Sequence, residues 1–587
     1  MRLFGSKHRL QLEIISKTLR KMSLLAAAST LLCACWDAEQ RPEGFVRLSL
    51  SQSLRSLDPI DATDYSSQLV LSQIYETLIS YENTQASSDR RKLKPQLLEK
   101  MPTYSDRGKK VHLSLRKNVF FHDHAAFKKS NGRGRKLVAG DIVYSWKRLW
   151  LSSQSSSDSR AFFSKIVGLS KWREGVKSGS IRFDDDIEGL IATDEQNLEL
   201  EFSEPFRQFE LLLTQVMTAP VPFEALAESP KALNLTSVGT GPYKLKSADL
   251  ESQILLEKNE SYWGSVENNG VEFYKMSDSQ PRWLNFMKGE LDWITVDEET
   301  SMTAYEGGQL QPAVKEMGIS EVTVNSPDIV YLAFNMEDAV VGRSRALRQA
   351  ISMSIDRNAI LSSVYMNLGS EAHGPIPIGV EGFRSDFKNP YSTRDLEKAK
   401  ELLAKAGYND EHPVPTLTIE SLSDAANRRF AEVFKSQLKE VGIEVKISLN
   451  SWPELVRKQK QKEGQIYGPI AWIADYLDPA NIFQLFLSSE ESPGLNVSNY
   501  NNYEFDRLFR KSLKEEGRSE RTEVYEKMLE IIIEDSPWVF LVHRKIRYLV
   551  HPWISNFSPD RVDLSFIKNA KVDLGVKKNQ KQSLFRR

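Results

Sequence analysis

Asp475 is the residue whose type and setting point most directly to chemistry. It follows the apolar run Pro469-Ile470-Ala471-Trp472-Ile473-Ala474, which reads as a buried strand, so it stands where that strand ends. Ligands of α/β lobes bind at such carboxyl ends. A carboxylate there is equipped to hold a cationic group through charge-assisted hydrogen bonds, each worth about 1.5–3 kcal/mol. The competing reading is a structural cap or turn residue. Asp478 illustrates it, because it directly precedes Pro479, a favoured first helical residue, and N-capping is its expected job. Trp472 and Tyr476 flank Asp475, and their rings suit either a ligand wall or core packing.

Other patterns do not build a catalytic or metal site. His122-Asp123-His124 offers two imidazoles, but no second cluster of ligands accompanies them. Gly239-Thr240-Gly241 lacks the Lys-Ser/Thr ending of a phosphate loop and runs into Pro242. No Gly-x-Ser-x-Gly elbow is present. The expectation is a protein that binds rather than reacts, with no metal and no cofactor. The net charge of −1 over 587 residues does not suggest a nucleic-acid partner.

The elements that must position these residues can be read along the chain. Its length suggests about three to four structural units. Lys17, Arg20 and Lys21 precede an uncharged run, Met22 to Leu32, too short for a membrane span and followed by Leu32-Cys33-Ala34-Cys35. A basic, then apolar, then small-residue segment reads as a secretory signal over 1–34. Cleavage there removes a surplus of five positive charges, taking the net charge from −1 to −6, and leaves Cys35 as the only cysteine. No disulfide is then possible, and the fold must rest on its core. Strands are expected at Phe45–Leu50 and Val111–Leu115, and a helix from Leu69 to near Ser80. A second helix is expected from an N-cap at Asp141. Residues 125–136 and 152–159 read as exposed loops. Ser392 and Asp395 stand at capping-box spacing before a helix that Gly407 stops. A strand at Leu417, a helix over Ala425–Val441 stopped by Gly442, and a strand over Ile443–Leu449 follow, which implies an α/β lobe with a crossover. The basic end, Lys568 to Arg587, reads as a frayed, solvated tail.

Nine short segments now line up in order. They are Ser56–Pro59, Gln73–Leu78, Leu93–Lys100, Val138–Trp146, Gly239–Tyr243, Glu257–Gly264, Arg345–Ile360, Ala399–Tyr408 and Trp472–Pro479. Together they resemble the family 5 extracellular solute-binding proteins, the oligopeptide- and dipeptide-binding lipoproteins of ABC transporters. The resemblance implies an α/β, periplasmic-binding-protein-like two-lobe fold with an additional third domain and a hinge crossed twice. The crossings are expected near Pro327–Phe334 and Pro537–Arg544. Lobe I would combine 36–74, 205–327 and 545–587, the extra domain 75–204, and lobe II 328–544. Cys35 resembles the acylated cysteine of a lipobox, which implies a membrane-anchored lipoprotein in the periplasm or on the cell surface.

The same resemblance assigns roles. Asp475 matches the Asp that pairs with a peptide's α-ammonium, with Trp472 and Tyr476 beside it. Asp61, Thr63 and Tyr65 match a stretch that runs along the ligand. Short peptides, permease and ATPase subunits are the implied partners of a monomer. One departure concerns the peptide's carboxylate: relatives carry an Arg at the position of Pro469, and Lys460 is the only substitute in view. The resemblance also leaves open a murein peptide, glutathione, nickel chelate or haem as cargo, or a surface adhesion lipoprotein.

Overall fold

The structure is a computed structural model describing residues 42–584, apart from 55, 62–63, 83–91, 153–164, 207, 228–232, 234–235 and 516. The leader, Cys35, Thr63 and the serine-rich stretch from residue 153 lie outside the described residues.

Strand β1 (Phe45–Leu50) joins β2 (Tyr243–Asp249), β3 (Gln253–Lys258) and β4 (Gly270–Lys275) in a sheet of order β1-β4-β3-β2. Helix α1 (Tyr65–Ile74) is capped by Asp64, whose carboxylate accepts from the Ser67 N–H at 2.9 Å. It ends at Ile74 and does not reach Ser80. Gly241 N–H donates to the Ile74 carbonyl at 2.9 Å, and a Cβ on Gly239 would stand 2.1 Å from that oxygen. The glycine loop thus occupies the space a further helical turn would need, and Leu78 instead leads into a short strand, Ile79–Tyr81.

A second four-stranded sheet is built from Thr103–Ser105, Lys110–Ser114, Asn197–Glu201 and Leu190–Ala192. The helix Ala139–Leu151, with its N-cap at Val138, begins three residues earlier than its sequence suggests. Asp141 is its third residue, and its carboxylate reaches back to the Val138 N–H at 2.9 Å. The hydrophobic cluster runs without a break from Val46 through both sheets to Phe273 and takes in Tyr548 to Ala570.

Eight further strands share one large sheet, and among the described residues three short two-stranded pairs lie outside it. Seven of the eight are β5 (Trp293–Thr295), β6 (Ser320–Asn325), β7 (Asp328–Phe334), β8 (Leu417–Leu422), β9 (Val445–Asn450), β10 (Ile466–Ile473) and β11 (Trp538–Val550). Its main order is β5-β11-β7-β10-β8-β9, with β6 and Gly369–Glu371 also pairing β11. Strands β8 and β9 are parallel, Leu417 opposite Val445, and the helix α2 (Ala425–Lys439) connects them as the crossover. Gly407 (φ +86°) and Gly442 (φ +79°) hold the left-handed conformation that stops helices. The helix before Gly407 is capped by Asp395 itself, whose carboxylate accepts from Lys398 N–H at 3.0 Å; Ser392 is buried beside it and does not cap.

β7 is buried on both faces. Ile329, Tyr331 and Ala333 enter one hydrophobic cluster, and Val330, Leu332 and Phe334 enter another, as alternation along a strand requires. β11 does two jobs: residues 538–542 pair with β7, while 545–550 pair with β6. The segments Ser326–Asp328 and Arg544–Lys545, where these pairings change, therefore lie side by side, because Asn325 faces Lys545 in register.

As far as Leu584, the basic end is not a frayed tail. Residues Leu574–Leu584 form a helix, and Lys577 is buried with its ammonium 2.6 Å from Asp292. That carboxylate is fully buried and also accepts from Trp553 Nε1 at 2.7 Å and Arg47 N–H at 2.7 Å. A buried carboxylate needs such partners, and this need docks the helix. No helix among the described residues is long and apolar enough to cross a membrane.

Candidate ligand-binding site

Asp475 follows β10, but the second half of that strand is not buried. Ile473 is 40% exposed, and Ala471 to Asp475 line a cavity of about 420 Å³, with Ala474 and part of Trp472 also packed on the core. This explains the apolar run: it is a wall. The other walls include Tyr65, Gln68 and Tyr75 from α1 and its end, Gln215, and the segment Arg561–Ser565.

One buried side chain organises this end of the strand. Asn481 belongs to the helix α3 (Pro479–Phe483) and has no exposed surface. Its carbonyl oxygen accepts from Trp472 Nε1 at 3.0 Å and from the Asp475 N–H at 3.2 Å, and its amide donates to the Asp475 carboxylate at 3.4 Å. The helix is fixed by Asp478, which accepts from the Ala480 N–H at 2.8 Å and pairs with Arg521 at 2.6 Å. Asp478 is thus a cap and a buried ion-pair partner.

Asp475 is exposed at the cavity, which is open on one side. Loss of hydration pushes its carboxyl above the usual range, and the Asn481 amide opposes this in part. Among the described residues, no cation lies within ion-pair distance of it. Two contacts between distant parts of the chain lie beside it. Gln215 Nε2 donates to the Asp475 main-chain oxygen, and the Leu477 N–H donates to the Tyr81 hydroxyl at 3.1 Å.

The expected site residues therefore separate. Asp475, Trp472 and Tyr65 meet at the cavity. Tyr476 is 1% exposed, packed among core residues and away from the lining. Asp61 ends the short turn Pro59–Asp61 and does not line the cavity either. Lys460 is exposed at a helix end, also outside the lining. Gln215, Asn481 and Arg561 were not expected. Asn481 had one signal, its position just inside the Asp478-Pro479 helix start; the other two had none, because only the fold brings them to Asp475.

His122 has a structural role. Its Nε2 sits 2.9 Å from the Gly241 carbonyl and its Nδ1 accepts from Gly239 N–H at 3.4 Å, so the ring clamps the glycine loop on α1. Burial pushes its pKa down to about 4, which keeps it neutral. A cavity of about 540 Å³ opens beside Asp478 and Arg521, but those charges satisfy each other. The smaller cavity, with its unpaired carboxylate, is the better ligand site.

The model of the bacterial extracellular solute-binding proteins, family 5, matches residues 92–494, more than half of the chain. The chain belongs to this family. Family 5 members are transport binding proteins and not enzymes. Heme-binding protein A of Haemophilus influenzae is 25% identical over 497 residues, covering 82% of this chain and 84% of that protein. The dipeptide-binding protein of Escherichia coli is 23% identical over 489 residues, covering 82% and 86%. Among solved structures, the ABC transporter-associated periplasmic binding protein DppA from Helicobacter pylori, in complex with the peptide STSA, superposes with a TM-score of 0.69 at 24% identity, covering 90% of this chain and 98% of that one. These likenesses establish the two-lobed family 5 fold.

Proposed function

We propose that this family 5 protein captures short peptides outside the cytoplasmic membrane and delivers them to an ABC importer. The observation that carries this is Asp475, an ionisable carboxylate without a cationic partner among the described residues, facing a cavity walled by Trp472 and Tyr65. A peptide's α-ammonium supplies the missing charge. The strand end also offers main-chain groups for the peptide backbone, which gives affinity without selecting side chains. Relatives named for dipeptides, and the Helicobacter complex with STSA, support the same cargo.

In this reading lobe I comprises 36–74, 205–327 and 545–587, the extra domain 75–204, and lobe II 328–544. The lobes close over the peptide, and the closed form docks on the permease. Cys35 carries the lipid that keeps the protein at the membrane; its replacement by Ser abolishes acylation, read by mass spectrometry of the mature N-terminus.

Haem is the competing cargo, because one relative is named for it. The cavity lining has no His, Met or Cys, so only its tyrosines are available as an axial ligand, and the carboxylate of Asp475 favours a cationic guest. Titration calorimetry with short peptides tests the proposal. Wild type binds them, and Asp475→Ala loses roughly 2–5 kcal/mol, as expected when one member of a desolvated charge pair is removed. Unchanged affinity in the variant, or a haem absorbance band with no peptide binding, would overturn it.

A further inference from the structure

We propose that Arg561 is the carboxylate-recognising group of this cavity, so that the site selects peptides with a positive and a negative end. The inference rests on the peptide reading above and adds the residue that meets the other end. Arg561 lies in the segment that follows β11 and lines the same cavity as Asp475. Its guanidinium carbon stands 3.7 Å from the centre of the Tyr65 ring. Stacking occupies one face and leaves the in-plane N–H donors at the edge.

Among the described residues those donors have no ion-pair partner. Nε is buried without an acceptor, and the guanidinium hydrogen-bonds the neutral phenol of Tyr65, with that of Tyr548 close by. Asp328 adds a weaker field but is already paired with Arg544 at 2.7 Å. Asp563, two residues on, is engaged in capping the next turn through Ser565. Other buried arginines meet carboxylates or main-chain oxygens: Arg357 those of Phe540, Ser352 and Ser392, Arg47 that of Glu272, and Arg521, whose Nε is also without an acceptor, that of Asp478. An unpaired guanidinium withdrawn from water is costly unless something completes it.

Asp475 and Arg561 carry opposite charges in one cavity and do not pair with each other. A zwitterionic guest completes both. Arg561 also answers the absence of a basic residue at Pro469, since Lys460 lies outside the cavity. The anionic group is a carboxylate, supplied either by the peptide's C-terminus or by an acidic side chain near it.

The test uses the full chain and calorimetry with trialanine, its C-terminal amide, its N-acetyl form, and an amidated peptide ending in Glu. Wild type is expected to bind the free acid about 10- to 100-fold tighter than the amide, the range of one charge-assisted hydrogen bond. Arg561→Gln loses that preference and binds both at the level of the amide, while Arg561→Lys keeps part of it; thermal unfolding confirms that both variants fold. Recovery by the Glu-ending amide identifies a side-chain carboxylate as an accepted source, and no recovery identifies the C-terminus. N-acetylation weakens wild type and Arg561→Gln alike, because it removes the charge that Asp475 meets. Equal binding of acid and amide by wild type, or an undiminished preference in Arg561→Gln, overturns the role of Arg561 alone. Failure of every peptide to bind wild type overturns the peptide reading itself.

Discussion

The carboxylate of Asp328 and the guanidinium of Arg544 meet at 2.7 Å where β7 begins and β11 changes its pairing partner. Asp328 is fully buried and also accepts from Ser326 Oγ at 2.7 Å and the Arg544 N–H at 3.2 Å. The pair therefore ties the two segments together. Arg544→Ala leaves a buried carboxylate with hydrogen bonds but no counter-charge. Loss of one partner of a buried pair costs about 3–5 kcal/mol, and the partial exposure of Arg544 puts this case near the lower end. Urea unfolding of the variant measures it; a change below about 1 kcal/mol would show the pair to be ornamental.

Asn481 is a positioning residue for ligand binding. Asn481→Ala removes the acceptor for Trp472 Nε1 and the Asp475 N–H together with the amide facing the carboxylate. Peptide affinity is expected to fall about tenfold, equivalent to about 1.4 kcal/mol, through misorientation of Asp475. Calorimetry reads the loss. It should shrink in an Asp475→Asn background, and full additivity of the two substitutions would separate Asn481 from the site.

Peptide binding should weaken on acidification. Pairing with an ammonium requires the ionised form of Asp475, whose carboxyl is held above the usual range by lost hydration. Protonation of the empty site thus begins at a higher pH than for an ordinary Asp, near 4. The expected result is an affinity that declines as pH falls through that raised value, and a flatter profile in Asp475→Asn. A wild-type profile that stays level until the ordinary Asp range is reached would contradict the cavity geometry.

His122 makes the fold acid-sensitive. Its folded pKa is about 4, against about 6.5 when exposed, so between these values the unfolded chain binds a proton that the folded one refuses. Stability is complete above pH 6.5 and declines as pH falls toward 4. From pH 7.5 to 5 this one group removes about 2 kcal/mol. His122→Gln should lose correspondingly less across that interval, in denaturant titrations of both proteins at the two pH values. An identical pH slope in the variant would place the acid sensitivity elsewhere.

What the sequence makes legible are features settled by neighbours in the chain. The stops at Gly407 and Gly442 follow from a backbone conformation few residues share, and the crossover from Leu417 to Asn450 follows from a change of apolar period. Asp475 was legible because it ends an apolar run. That run was misread as buried, because a cavity wall and a core strand have the same composition. The end of α1 was not legible, since Gly239 and Gly241 stop it from more than 160 residues away. Nor was the docked C-terminal helix, whose Lys577 looks like any solvated lysine until Asp292 is placed beside it. Arg561 belongs to the same class: an isolated cation near the end of the sequence carries no pattern, and only the closing of the chain on itself brings it to the cavity that Asp475 faces.

The unbroken run of β11 through both halves has a mechanical consequence. In the proposed closure, the halves that this ribbon joins are already held together. Two separate bodies docking face to face would surrender translational and rotational freedom worth roughly 4–15 kcal/mol. With the connection covalent, more of the attraction between guest and walls would remain for retention.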